Sequence, residues 1–240
     1  IMFSEYFLSQ SRQLQSALRE RLDKRGVQVP TKQKDVRVYK ELYEFFKDHL
    51  PGGFSYAVGK VRSKKHVLNK SCDLLIFKKW CKKFFDLTGG YVLADQLHSF
   101  VTVENELSTA QILTHATLTE AIKTMYAADQ SLDQNAIVPV YSILFAYKSA
   151  IPLLSHKVAL EDASKEKEIP VSRETDMLVV LDQGLILKDW ENGGVYRGIE
   201  TGEDTLMWFY ILLLEYLDRD GSLGFDPRSY VRQQKEYREY

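Results

Sequence analysis

The sequence predicts an α/β domain built on a mixed β-sheet with helices on both sides. Three observations support this fold class. Segments of helical periodicity alternate with short β-branched and aromatic runs, the predicted helices fall before and after the block of strands, and no internal repeat is present. With 240 residues, 45% of them hydrophobic and 27% charged, the chain can bury a full core without disulfides or metals.

Composition narrows the functional classes. The formal net charge is −1, so the chain as a whole has no electrostatic attraction to nucleic acid or to a membrane. Nucleic-acid binding therefore requires a local basic patch. The two cysteines, Cys72 and Cys81, lack metal-type spacing and suit a reducing compartment. No apolar run is long enough to span a membrane, and the N-terminus lacks a signal-peptide pattern. These features predict a cytoplasmic protein that does not bind membranes.

Two helices are expected first. Residues 2–24 repeat apolar side chains at helical spacing, and residues 26–30 end this helix. Its apolar side, which includes Phe3, Tyr6 and Phe7, is expected to pack on the main body of the chain or on a second copy, so a homo-oligomer is one expectation. A second helix over residues 34–49 ends at the Pro-Gly-Gly of residues 51–53.

Strands and further helices follow. β-branched and aromatic content predicts strands over residues 54–61, 72–77 and 100–106, with a short extended piece at 91–93. A helix is then predicted over residues 108–128, capped by Ser108 or Thr109, followed by a strand over 137–147 and a short helix within 148–157. A charged loop over 163–170 leads to strands over 177–181 and 185–187. After a turn at 191–194, a last helix starts at Thr201 or Asp204. The expected divisions are an N-terminal helix (1–30), an α/β domain (31–222) and a polar, loosely docked C-terminal tail (223–240).

One stretch of the chain is strongly basic. Residues 60–83 contain many lysines and arginines and a single acidic residue, Asp73. One interpretation is a hairpin that contacts the phosphates of DNA or RNA. The other is a solvated hairpin whose lysines block edge-to-edge strand pairing. The candidate nucleic-acid contacts are Lys60, Arg62, Lys64, Lys65 and Lys70.

Three carboxylates form the candidate catalytic site. Asp73 lies in one predicted strand, and Glu104 and Glu106 lie two residues apart in another, so the two glutamates share a face. If the strands are neighbours, Asp73 and Glu104 converge as oxygen ligands for Mg²⁺, with Mn²⁺ as a substitute. The alternative is a Glu-x-Glu pair at an exposed strand end that serves only solubility.

The order of elements around these residues resembles the restriction-endonuclease-like core, whose PD-(D/E)xK signature is Asp followed by Glu-x-Lys. Within that fold class the chain is most similar to an uncharacterised bacterial family of domains of unknown function. The resemblance covers about residues 35–218. It is carried by Leu50 and Pro51 after a helix, Gly59, residues 72–77 in place of a Gln-Asp-apolar strand, residues 103–107 in place of Ile-Glu-Val-Lys, and the segments 140–147, 179–186 and 206–217.

The resemblance implies roles for particular residues. Asp73 and Glu104 would be metal ligands, and Glu41 or Glu44 would be a helix carboxylate of the same site. Glu106 stands where the pattern has a lysine that positions or activates the attacking water. Some endonucleases of this fold use Glu-x-Glu, with the second glutamate as base or ligand.

A displaced lysine, Lys70 or Lys78, is a further expectation, because three carboxylates without a cation would repel one another. The histidines that bracket the glutamate strand, His98 and His115, are expected to be structural or exposed.

Three functions are therefore expected. The first is a metal-dependent nuclease, a hydrolase of DNA or RNA with Asp73, Glu104 and Glu106 as catalytic residues. The second is a catalytically inactive nuclease-fold module that binds nucleic acid or a protein partner. The third is an assembly protein that oligomerises through its N-terminal helix. A salt bridge that held Glu106 away from Asp73 would favour the second function over the first.

Overall fold

The protein is described by a computed structural model that covers residues 3–23, 37–231 and 235–240. It confirms the α/β class. The helices are α1 (Phe3–Asp23), α2 (Lys40–His49), α3 (Lys82–Leu87), α4 (Thr109–Asp129), α5 (Leu153–Glu166) and α6 (Thr205–Leu217). The strands are β1 (Phe54–Arg62), β2 (Val67–Lys78), β3 (Tyr91–Leu93), β4 (Leu97–Glu106), β5 (Tyr141–Lys148), β6 (Met177–Val180), β7 (Gly184–Asp189), β8 (Val195–Glu200) and β9 (Arg238–Glu239).

These strands form one mixed sheet in the order β3-β1-β2-β4-β5-β6-β7-β8-β9. β1, β2 and β4 are antiparallel neighbours, whereas β4, β5 and β6 run parallel. Parallel neighbours need crossover connections, and α4 and α5 supply them on one face of the sheet. The carboxyl ends of β4 and β5 therefore meet at one edge of the sheet, where the candidate glutamates lie.

The sheet has a core on each face. On one side, the α6 face, α1, α2 and α6 bury a cluster that includes Phe7, Phe46 and Phe209. On the other side, the α4 face, Phe77 and Leu118 belong to a cluster under α3 and α4, and a further cluster lies under α5. Because the central strands are buried on both faces of the sheet, their sequences are continuous apolar runs.

The N-terminal helix belongs to the first of these cores. Phe7, Leu14 and Leu18 of α1 are buried against α2 and α6, so the helix packs on the main body of its own chain. A homo-oligomer formed through α1 stays a prediction. No helix in the part of the chain that the structure describes is long and apolar enough to cross a membrane.

Four segments differ from the sequence-based expectations. Helix α3 and strand β8 were not predicted. Helix α5 continues to Glu166, through residues expected to be a loop, because Ala163 and Ser164 are buried while the charged residues beside them face water. The expectation of a loosely docked tail is wrong for residues 235–240, because β9 pairs with β8 and the Tyr240 ring lies against Gly198. Residues 24–36, which include the start expected for the second helix, lie outside the described ranges.

Candidate active site

A β-bulge in β2 brings Asp73 to β4. β1 and β2 pair without interruption as far as Leu75, and their pairing resumes at Cys72. Between these two positions, one residue of β1 lies opposite two residues of β2. Asp73 lies in this bulge, which redirects its side chain. Its Oδ2 accepts a 2.8 Å hydrogen bond from the backbone N–H of Val103 on β4. The carboxylate therefore lies against the strand that carries the candidate glutamates, which meets the condition set in the sequence analysis that the two strands be neighbours.

Glu104 lies on the α4 face of β4. Two residues earlier on the same face, Thr102 Oγ1 is 2.9 Å from Nδ1 of His115 on α4. Gln111, in the first turn of α4, donates Nε2 to Glu104 Oε2 at 2.5 Å. The Oε1 of Gln111 accepts from the N–H of Ser108 at 2.7 Å, completing a capping box. The start of α4 thereby holds the Glu104 carboxylate in place.

The two carboxylates interact. The pKa of Glu104 is raised from 4.5 to about 7, first by burial and then by the negative charge of Asp73. Burial also raises the pKa of Asp73, against the lowering effect of the Val103 N–H. The positive charge of Lys70 lowers the pKa of both groups. A carboxyl group whose pKa lies near neutrality beside a second carboxyl is typical of a functional site.

The chemistry of these two carboxylates suits a divalent cation. Each carboxylate uses one oxygen in the hydrogen bonds above, and Asp73 Oδ1 and Glu104 Oε1 accept no hydrogen bond from any residue that the structure describes. A dication would relieve the repulsion that raises the pKa of Glu104. Within residues 3–23, 37–231 and 235–240, no three His, Cys, Asp or Glu side chains converge as a metal site. The pair thus offers two protein ligands, which suits Mg²⁺ when water and phosphate oxygens complete the octahedron.

Glu106 does not join the pair. It stands opposite Lys148 in the parallel β4–β5 register, and its Oε2 is 3.3 Å from Lys148 Nζ. Both side chains are about half exposed, at 46% and 55%, and an exposed ion pair of this kind contributes little stability. The Glu106 side chain is therefore paired with β5 through a weak salt bridge.

The basic residues follow the β1–β2 hairpin. Lys60 and Arg62 lie on β1, Lys64 and Lys65 in the connection, and Lys70 on β2. The connection is fixed to the end of α4, because the backbone N–H of Lys64 donates to both oxygens of the Asp129 carboxylate. The charge of Lys70 acts on both carboxylates of the pair. Lys60 pairs with Ser71 and so lies level with Lys70, whereas Arg62, Lys64 and Lys65 lie farther along the hairpin.

The remaining candidates lie elsewhere. Lys78 pairs with Asp220 at 3.6 Å. Glu41 is buried on the α6 face of the sheet and accepts two hydrogen bonds from Arg21 of α1, at 2.5 and 2.7 Å. Glu44 is exposed. The structure does not bring either α2 carboxylate to the Asp73–Glu104 pair.

His98 and His115 are buried, and burial lowers the pKa of His98 to about 4 and that of His115 to about 3. Both rings are therefore neutral near pH 7, which confirms the structural interpretation. Sequence reasoning missed Gln111, although Ser-x-x-Gln at the start of a predicted helix is a capping-box pattern that signals it.

No protein-family model matches the sequence, and no curated protein matches it either. Solved structures are similar. A cAAA-bound form of NucC from E. coli MS115-1 has a TM-score of 0.63 and 12% identity over 89% of each chain. A cAAA-bound form of NucC from P. aeruginosa ATCC27853 has a TM-score of 0.62 and 12% identity, over 89% of this chain and 90% of that one. The apo form of the E. coli protein has a TM-score of 0.60 and 14% identity, over 93% and 92%.

At 12–14% identity these similarities establish the fold alone. The chain has a restriction-endonuclease-like mixed sheet flanked by helices, with an N-terminal helix packed on it.

Proposed function

We propose that this protein hydrolyses phosphodiester bonds in DNA or RNA with the help of Mg²⁺ or Mn²⁺. The observation that carries the proposal is the meeting of the Asp73 and Glu104 carboxylates from neighbouring strands, where burial and mutual repulsion raise the pKa of Glu104 to about 7. The nuclease-type fold supports it.

Each residue of the pair has a defined task. Asp73, held by the Val103 N–H, and Glu104, held by Gln111, would bind the cation through their free oxygens. The bound cation would supply the charge that stabilises a phosphodiester under attack. Glu106 lies two residues beyond Glu104, roughly 6.5–7 Å along the strand, where it can accept the proton of the attacking water, directly or through a second water.

Hydrolysis forms a bond between the water oxygen and phosphorus and breaks the bond between phosphorus and the leaving oxygen. The proton that the water loses passes to Glu106, and the leaving oxygen takes a proton from solvent. No oxidant, reductant or organic cofactor is consumed.

The hairpin supplies the contacts to the nucleic acid. Lys60, Arg62, Lys64 and Lys65 extend from the carboxylate pair toward the end of α4 and would contact phosphates along the bound strand. Lys64 and Lys65 are exposed, so their ammonium groups are free to replace counterions.

A second function has its own support. Glu106 replaces the lysine of the nuclease pattern and pairs with Lys148, which favours an inactive nuclease-fold module that binds nucleic acid or a protein partner. Such a module would keep the hairpin contacts and lose hydrolysis.

Calorimetry and cleavage assays separate the two functions. Mg²⁺ and Mn²⁺ are titrated into the wild type and the Glu104→Ala variant, and plasmid DNA and single-stranded RNA serve as substrates. Because two of the similar structures hold cAAA, each assay is run with and without it. Glu44→Ala, which removes an exposed carboxylate from α2, is the matched control.

We expect metal binding and cleavage by the wild type and by Glu44→Ala, and loss of both in Glu104→Ala. Metal or nucleic-acid binding without cleavage supports the inactive module. No heat at millimolar metal together with no cleavage overturns the nuclease.

A further inference from the structure

The bulge in β2 decides which face of the sheet Lys70 occupies. On the C-terminal side of the bulge, Leu74 belongs to the core of the α6 face. In a regular strand Lys70, four residues earlier, would share that face. Cys72 is instead buried in the core of the α4 face, and Leu68 packs against that same core. Lys70 lies in a second register shift of β2, between Ser71, which pairs with Lys60, and Val67, which pairs with Arg62. The residues two before it and two after it both pack on the α4 face, so Lys70 lies on that face together with Glu104.

The position of Lys70 brings a cation to the carboxylate pair. Lys70 is three residues from Asp73 on the same strand, at most about 10 Å between Cα atoms, which a lysine side chain can bridge. Its charge acts on both Asp73 and Glu104 and also on His115 beneath them on α4. Its side chain is exposed, so it is open to a ligand bound at the pair.

The other lysines that could serve here are directed elsewhere. Lys148 pairs with Glu106, and its charge also opposes the rise that burial causes in the pKa of Asp182, beyond the end of β6. Lys78 lies at the opposite end of β2 and pairs with Asp220. Lys70 is therefore the lysine that the strand geometry directs to the site.

We infer that Lys70 is the catalytic cation of this site and takes the place of the lysine that Glu106 has replaced. The positive charge of Lys70 comes from β2, the strand of Asp73, rather than from β4, the strand of Glu104. The bulge in β2 puts the Lys70 side chain on the α4 face, where Glu104 also lies. Lys70 has this role only if the chain is the proposed nuclease. It would contact a non-bridging oxygen of the scissile phosphate and stabilise the negative charge that develops there.

Three variants test this role. Lys70→Gln removes the charge and Lys70→Arg keeps it. Lys78→Gln removes the lysine at the opposite end of β2, which pairs with Asp220, and is the matched control. Metal affinity is measured by calorimetric titration of Mn²⁺, and kcat and KM are measured separately with a short fluorescent DNA or RNA substrate.

For Lys70→Gln we expect kcat to fall about 100-fold or more, while Mn²⁺ affinity stays the same or rises, because a positive charge beside the dication is gone. A structural defect would lower metal affinity as well. Lys70→Arg and Lys78→Gln should keep kcat within about tenfold of wild type.

Two failures are distinguishable. An active, metal-binding wild type whose kcat is unchanged in Lys70→Gln, or falls equally in Lys78→Gln, overturns the role of Lys70 and leaves the nuclease intact. A wild type that neither binds Mn²⁺ nor cleaves overturns both.

Discussion

Replacing Glu104 with Gln should stabilise the protein at alkaline pH in the absence of metal. The change removes the charge that burial and Asp73 oppose and keeps an oxygen to accept the hydrogen bond from Gln111. The pKa of Glu104 rises from 4.5 to about 7. At 1.36 kcal/mol per pKa unit this corresponds to roughly 3 kcal/mol, which solvent screening at a partly exposed carboxyl reduces to about 1–2 kcal/mol.

The effect depends on pH in a defined direction. The unfolded chain releases the Glu104 proton near pH 4.5, whereas the folded protein keeps it up to about pH 7. The free energy of unfolding of the wild type therefore falls as pH rises through that window and is constant above it, as far as this group is concerned. Glu104→Gln lacks this fall, so its advantage should be about 1–2 kcal/mol larger at pH 8 than at pH 4.5.

Urea denaturation at the two pH values, in buffer containing EDTA, measures this difference. Adding millimolar Mn²⁺ at pH 8 should reverse the order, since only the wild type keeps both carboxylates. An advantage of Glu104→Gln that is equal at both pH values would refute the reasoning, because it would mean that Glu104 titrates as an ordinary exposed glutamate.

Three further outcomes are expected. Gly59→Ala should lower the free energy of unfolding, measured by urea denaturation, by about 1–3 kcal/mol, because the new Cβ would meet a backbone oxygen and an aromatic ring at 2.6 Å. Gly52→Ala, whose Cβ would have nothing within 4 Å, should be nearly neutral, and equal losses in the two variants would contradict this. Lys123→Met should cost about 3–5 kcal/mol, because the fully buried Lys123 pairs with Asp176 at 2.7 Å; a loss under about 1 kcal/mol would show that this pair does not hold the fold. Lys64→Gln should lower the slope of log K against log salt for DNA binding by about 1, and an unchanged slope would remove Lys64 from the interface.

Much of the fold could be predicted because its strands have strong local signals. The apolar runs around Leu75 and Phe145 mark strands buried on both faces, and the periodicity of residues 108–128 marks α4. The sequence also showed that Asp73 and Glu104 each lie in such a run, but their proximity depends on the pairing of β2 with β4. Strand β8 was not predicted, because only the turn at residues 191–194 gave a clear local signal there.

The site could not be completed from the sequence, because its details depend on register. The bulge at Asp73 arises from the pairing of β2 with β1 and β4, and a one-residue change of register moves a side chain to the other face. The sequence alone therefore could not choose between Lys70 and Lys78. Likewise, the pairing of Glu106 with Lys148 exists only because β4 and β5 are parallel neighbours.

The central claim is that Asp73 and Glu104 hold a divalent cation, and anomalous diffraction from a crystal soaked in millimolar Mn²⁺ tests it most directly. The expected result is a Mn²⁺ peak between the two carboxylates, within about 2.0–2.3 Å of one oxygen of each, that is lost in crystals of Glu104→Gln. A peak at another cluster of carboxylates, or no peak at this pair in the wild type, would contradict the claim.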